Sequence, residues 1–303
     1  MSNYDDLFAG AARQDTPKSE FKPASAFDKE TWAAQKQAER AEVFALMDCA
    51  SEAVISNSKD FQSYLDVQSR FDKYSAGNIL LILTQNPDAT QLRDFDSWKE
   101  NGVSIKKSEK GVSILEPGDE YTREDGTTAV SYNVKKVFDI SQTTAKPQPA
   151  PHPVNERELI KALMTNPPVP IVISNQLPDN VGANYDPQNL VINIRQGMDG
   201  ASIIRSLTQE LAHAETDGRD GKYSRGGSAF TAYCASYVVC RKHGVDVSGY
   251  DFSKLPESYK DMDAQKARWE LSKIRLTSGA VLENISKSLG EQRTAQKKTQ
   301  PER

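Results

Sequence analysis

The chain has 303 residues, of which 37% are apolar and 26% charged, enough for a globular protein of two ordinary domains. A formal net charge of −4 does not by itself announce a nucleic-acid binder. No apolar run approaches the roughly 18 residues that span a membrane, and the polar, acidic start lacks the charged-then-apolar pattern of a secretory signal. Three cysteines, Cys49, Cys234 and Cys240, have no C-x-x-C spacing and suit free thiols in a reducing, cytoplasmic setting.

Residues 1–28 mix Asp, Gln, Pro, Ser and Lys without periodicity and are expected to be disordered. A helical pattern then begins with Asp28 as N-cap, and Val43, Leu46, Met47, Ala50, Val54 and Ile55 form its apolar stripe. A second helix is expected over 59–74, facing inward through Phe61, Tyr64, Leu65 and Phe71. The run Asn78–Leu83 is apolar all round and stops before Asn86-Pro87, so it reads as a buried helix, with a strand as the alternative. A short helix over 94–101 carries Phe95 and Trp98 and ends at Gly102.

The period then changes to two. Val103–Lys106, Gly111–Pro117 and Ala129–Ile140 alternate, with Glu124-Asp-Gly as a turn, which predicts a three-stranded antiparallel sheet. Thr144–Pro153 is rich in proline and reads as a semi-rigid linker. The expected organisation is α+β throughout. A helical domain with a small antiparallel sheet covers 29–144, the linker 145–154, a second α+β domain 155–289, and a polar, flexible tail 290–303. Ile171–Ile173 is the first strand of the second domain; Asp186-Pro187 turns into a strand carrying Leu190, Ile192 and Ile194; a final helix covers 269–289.

Between them lies Ala201–Glu215, with Ile203, Ile204, Leu207 and Leu211 at helical spacing. Gln209, Glu210 and His213 stand where a zinc peptidase helix carries His-Glu-x-x-His. In that motif two histidines four apart hold the metal and the glutamate deprotonates a metal-bound water. Here the first histidine is Gln209, whose neutral amide oxygen is a poor zinc ligand.

Ser228–Asp246 resembles the second zincin helix of ArdC and LtrC-like proteins. That resemblance implies a third metal ligand, a glutamate, four residues before Tyr237, where this sequence has Tyr233. In the first half, Tyr74–Ile82, Gln85–Thr90, Phe95–Gly102, Gly111–Pro117 and Val137–Thr143 occur in the order of the single-stranded-DNA-binding domain of the ArdC antirestriction family. Related domains occur in LtrC-like and primase proteins of plasmids and conjugative transposons. The resemblance covers roughly residues 40–144, and with the zincin-like half nearly the whole expected ordered chain.

It implies a mobile-element protein whose partner is single-stranded DNA, with a host- or element-encoded protein as a further partner, and a degenerate metallopeptidase module. Two of three metal ligands are replaced by neutral groups, so no zinc cofactor and no catalysis are expected; Glu210 would be the base of an active enzyme. The alternative is a zinc-dependent peptidase acting on a host regulatory or defence protein. A rebuilt site could draw on Glu210, His213, Glu215 and Asp217 or Asp220, although acids at a helix end are more simply solvated. His213 and Glu210 would otherwise pair at i,i+3, and His152 and His243 read as surface residues.

Single-strand binding needs cations for phosphates and aromatic faces for bases. The cations in the matching half are Arg70, Lys73, Lys106, Lys107, Lys110, Lys135 and Lys136; the stacking faces are Tyr74, Trp98 and Tyr132; Asn78 and Gln85 could bond backbone or base edges. Each has a structural alternative: Trp98 suits a core position, the hairpin lysines a solvated face, and Asn78 a helix cap.

Overall fold

A computed structural model of the chain describes residues 28–123, 125–146 and 155–299, so the expected disorder of the N-terminus, His152 and most of the proline-rich segment lie outside the described residues. The chain divides into two compact units, Met1–Ala38 and Glu39–Arg303. Within the first, helix α1 (Lys29–Ser56) begins where expected. Asp28 accepts hydrogen bonds from the Glu30 amide, at 3.0 Å, and from the Thr31 hydroxyl, which satisfies the first turn.

In the second unit the remainder of α1 buries Val43, Met47, Val54 and Ile55. Helix α2 (Ser58–Arg70) is capped by Asn57, and its buried face carries Phe61, Tyr64, Leu65 and Val67. It ends at Arg70, four residues before the expected end. Helix α3 (Ala76–Gln85) is the apolar run, and Ile79, Leu80, Leu81 and Ile82 are completely buried on all sides. That settles helix over strand there.

Strand β1 (Leu92–Asp94) leads into helix α4 (Phe95–Glu100), capped by Asp94. Strands β2 (Val112–Thr122) and β3 (Thr128–Asp139) form a long hairpin closed at Gly126, whose φ of +81° is left-handed. The sheet is antiparallel in the order β1-β3-β2. Its third strand is therefore β1 and not Val103–Lys106, of which only Ile105 makes a single bridge, to Thr143. The cause is Asp139 at the end of β3, whose carboxylate accepts from the Thr90 and Gln91 amides at 2.7 and 2.8 Å and draws β1 alongside.

Past the proline-rich segment, helix α5 (Glu156–Leu163) precedes strands β4 (Ile171–Ile173), β5 (Ala183–Asp186) and β6 (Val191–Ile194). They pair in the order β4-β6-β5, with β4 parallel and β5 antiparallel to β6. Asp186 caps the turn of the expected hairpin through the amides of Gln188 and Asn189. Helices α6 (Gly200–Thr216) and α7 (Arg225–Lys242) follow, and α8 (Ala264–Thr299) begins before Trp269 and runs on through residues expected as a tail.

Helix α8 packs against α3, α5, α6 and α7, and α2 packs against α7. One continuous cluster of buried side chains runs from Val43 to Ile285. Polar links cross the same contacts. The Tyr237 hydroxyl on α7 donates to Asp66 on α2 at 2.7 Å, and Arg241 donates to the same carboxylate at 3.0 Å. No helix among the described residues is long and apolar enough to cross a membrane.

Candidate functional site

Helix α6 places Gln209, Glu210 and His213 on consecutive turns, and α7 brings Tyr233 beside it. Glu210 and His213 are buried, at 3% and 1% exposure. Glu210 is gripped on both oxygens: Arg225, the first residue of α7, donates to them at 2.8 and 2.6 Å, and the Tyr185 amide on β5 donates at 2.7 Å. A bidentate guanidinium pair of this kind is short, charge-assisted and geometrically restrictive. The His213 Nδ1 pairs with the Tyr223 hydroxyl at 2.9 Å, and burial pushes the imidazole down to about 4.

The i,i+3 bond expected between Glu210 and His213 is thus replaced by two separate partnerships. Each side chain points to a group supplied by the 217–225 loop or its end, and that loop has no periodic pattern through which a sequence could announce it. Arg225, Tyr223 and Tyr185 are accordingly the residues that sequence reasoning missed.

Gln209 and Tyr233 line a pocket of about 280 Å³. The Tyr233 hydroxyl accepts from the Asp251 amide at 2.6 Å, and burial raises the phenol above its ordinary value. A phenolate ligand is correspondingly harder to form. The rebuilt set is not assembled either. Asp217 accepts from the Tyr185 hydroxyl and the Arg219 amide, Asp220 binds the Lys222 amide, and Glu215 is exposed. Among the described residues no three His, Cys, Asp or Glu side chains are grouped to hold a metal ion. His243, expected at the surface, is only partly exposed: its Nε2 is buried without a partner, and burial pushes the ring down to about 4.

In the first half, Tyr74, Asn78 and Lys135 come together along a cleft of about 540 Å³, joined by Arg93 and by the acids Asp94, Glu100 and Glu116. Lys135 pairs with Asp94 at 3.0 Å and Glu116 at 3.1 Å, which leaves the cleft mixed in charge. Asp94 is held at about 2, first by its hydrogen bonds from Ser97 and then by Lys135. Tyr74 is half-buried, edge-on to Phe71.

Three expected contacts are turned inward. Trp98 is buried at 3% exposure, its indole N–H donates to the Phe138 carbonyl at 2.9 Å, and the Arg93 guanidinium covers its ring at 5.1 Å. Asn78 pairs with both the N–H and C=O of Leu115, at 2.8 and 2.9 Å. Gln85 pairs likewise with Ser113, at 2.9 Å to each. These two amides serve as a surrogate strand for the open edge of β2, which sequence cannot reveal because the partner backbone lies about thirty residues away in the chain.

Lys106, Lys107 and Lys110 are exposed in the loop before β2, with Lys106 Nζ donating to the Ser141 carbonyl at 2.7 Å. Lys136 donates to the Ser113 hydroxyl, Arg70 to the Pro87 carbonyl, and Lys73 is exposed. Tyr132 is 40% exposed, with Phe44 edge-on to its ring.

No protein-family model matches the chain. An uncharacterized protein of Bacillus anthracis, pXO2-81, is 22% identical over 292 aligned residues, covering 78% of this chain; the chain spans about half, 49%, of that relative's length. Two crystal structures of the antirestriction protein ArdC from the R388 plasmid are similar in three dimensions. The metal-free form is 15% identical with a TM-score of 0.51 and covers 80% of this chain; the Mn(II)-bound form is 17% identical with a TM-score of 0.53 and covers 79%. Each matches over 98% of the ArdC chain, so the fold is that of ArdC nearly end to end.

Proposed function

We propose that this ArdC-fold chain is an antirestriction-type protein of a mobile genetic element that binds single-stranded DNA without metallopeptidase activity. The pairing of Glu210 with Arg225 carries the second part of the reading. A general base must be open to a water that a metal has acidified. Here both carboxylate oxygens are occupied by a guanidinium, and the metal-ligand positions 209 and 233 carry an amide and a hydrogen-bonded phenol. One of the similar ArdC crystals contains Mn(II), whereas no three His, Cys, Asp or Glu side chains are grouped to hold a metal ion among the described residues here. No catalytic step is therefore assigned to this site.

The first part is supported by the ArdC fold and by the exposed Lys106, Lys107 and Lys110, with Lys73 and Arg70 also at the surface. With Trp98, Asn78 and Gln85 committed to internal contacts, Tyr132 and half-buried Tyr74 are what remains of the expected stacking faces. Such a surface attracts phosphates with little regard to sequence, and its affinity falls steeply with salt.

The test is a salt series of single- and double-stranded oligonucleotide titrations on the full chain. Preferential single-strand binding is expected, weakened alike for all sequences in K106A/K107A/K110A and with a flatter salt slope. Identical titrations for the variant and the parent chain remove these lysines from the interface. Absence of single-strand binding by the parent chain rejects the nucleic-acid reading itself.

A further inference from the structure

Gln209, Glu210, His213 and Tyr233 separate into two groups. Glu210 and His213 are sealed by Arg225 and Tyr223, whereas Gln209 and Tyr233 open onto the pocket of about 280 Å³. Arg205, Ser206, Asp246 and Tyr250 form most of the remaining wall. Within it the Gln209 carboxamide and the Ser206 hydroxyl make no hydrogen bond to any described residue. A partly exposed carboxamide on the pocket wall thus keeps one acceptor and two donors free for a polar ligand.

The rest of the wall narrows the class of ligand. Arg205 donates to the Asp246 carbonyl at 3.1 Å and lies 3.8 Å from its carboxylate, so one positive group offsets one negative group and a free anion or cation gains little. Tyr233 and Tyr250 pack with ring centroids 4.9 Å apart. Both are anchored by their hydroxyls, Tyr233 to the Asp251 amide and Tyr250 to the Ser236 hydroxyl at 2.7 Å, which fixes two aromatic walls in place. The volume lies at the small end for ligand sites and suits one heterocycle better than an extended peptide.

We infer that this pocket binds a single adenine base, Gln209 donating to N7 and accepting from the N6 amino group while the tyrosines pack against the ring. A glutamine amide matches that edge of adenine in plane, and aromatic faces are the usual platform for an unstacked base. The choice of a base over another neutral planar amide rests on the nucleic-acid reading above. The pocket is then a place where one unpaired residue of a bound strand is held.

Titration of the full chain with adenosine monophosphate, cytidine monophosphate and a capped asparagine amide, followed by tyrosine fluorescence, tests the assignment. Saturable binding of the adenine nucleotide is expected, at least about tenfold tighter than the cytosine nucleotide and weakened about tenfold by Gln209→Leu. Gln209→Glu keeps the acceptor but loses the donor to N7, so the same loss is expected in a near-isosteric side chain that disturbs packing less. K106A/K107A/K110A should retain the adenine nucleotide, which separates this site from the lysine surface. A chain that binds the nucleotide but no single-stranded DNA keeps the pocket and loses the proposed function. No saturation at millimolar nucleotide, equal affinity in the parent and both Gln209 variants, or preference for the asparagine amide overturns the assignment.

Discussion

Arg225 stands 43% exposed at the start of α7, yet its guanidinium neutralises a Glu210 side chain that is 4% exposed. Removing one member of such a pair leaves an uncompensated buried charge, which costs about 3–5 kcal/mol, whereas replacing both with apolar groups of similar volume is often close to neutral. Arg225→Met should therefore lower stability to denaturant by about 3 kcal/mol, and E210M/R225M should recover only part of that loss, because the Tyr185 amide then lacks its acceptor. A double-mutant cycle in urea checks it; equal losses in the single and double variants would show that the pair contributes nothing specific.

His213 adds a pH signature. Burial lowers its pKa from the ordinary value of 6.5 to about 4, so between these values the unfolded chain binds a proton that the folded chain excludes. The associated stability is complete above the unfolded pKa and is lost as pH falls from about 6.5 towards 4, on the order of 3 kcal/mol for this one ring. Unfolding titrations at pH 7 and pH 5 should differ in that direction, and the difference should shrink in His213→Gln. A larger stability at pH 5 would contradict the burial of a neutral imidazole.

At the scale of elements, β2 is held on one edge by β3 and on the other by two side chains of α3. Asn78→Ala would leave the Leu115 N–H and C=O unpaired in a buried setting, at a cost of about 1–3 kcal/mol per group. Gln85→Ala should cost less, because its site is only partly buried. Hydrogen exchange at Ser113 and Leu115 is the readout, with faster exchange expected at Leu115 in Asn78→Ala than at Ser113 in the same variant. Unchanged exchange at Leu115 would mean that Asn78 is dispensable and available for other contacts.

The helices were legible wherever apolar spacing decides burial. The stripe from Val43 to Ile55 is α1, the all-apolar 79–82 is fully buried α3, and 203–211 is α6. The third strand of the first sheet was not legible, because Val103–Lys106 alternates as well as a strand should while β1 is only three residues long. What selects β1 is a carboxylate at Asp139, far along the chain, and no local pattern records it. The site divides the same way. Gln209, Glu210 and His213 are visible through the helical motif that they interrupt, whereas Arg225 and Tyr223 acquire their roles only when a loop folds back onto α6.

At the scale of the whole molecule, the fold is similar to that of ArdC at 15–17% identity. Arg225 supplies the positive charge beside Glu210, while Gln209 and Tyr233 face a polar pocket. The shared core running from α1 to α8 ties the lysine loop and this altered centre into one unit, residues 39–303.

Metal analysis of the full chain, dialysed after incubation with Zn(II) and separately with Mn(II), tests the proposed absence of a metal site most directly. A structural zinc site needs four well-placed donors and a catalytic one three plus water. With a single imidazole, itself bonded to Tyr223, the expected content is well below one ion per chain, the same in His213→Ala as in the parent. One tightly held ion per chain, lost in His213→Ala, would contradict the account and restore the metallopeptidase reading.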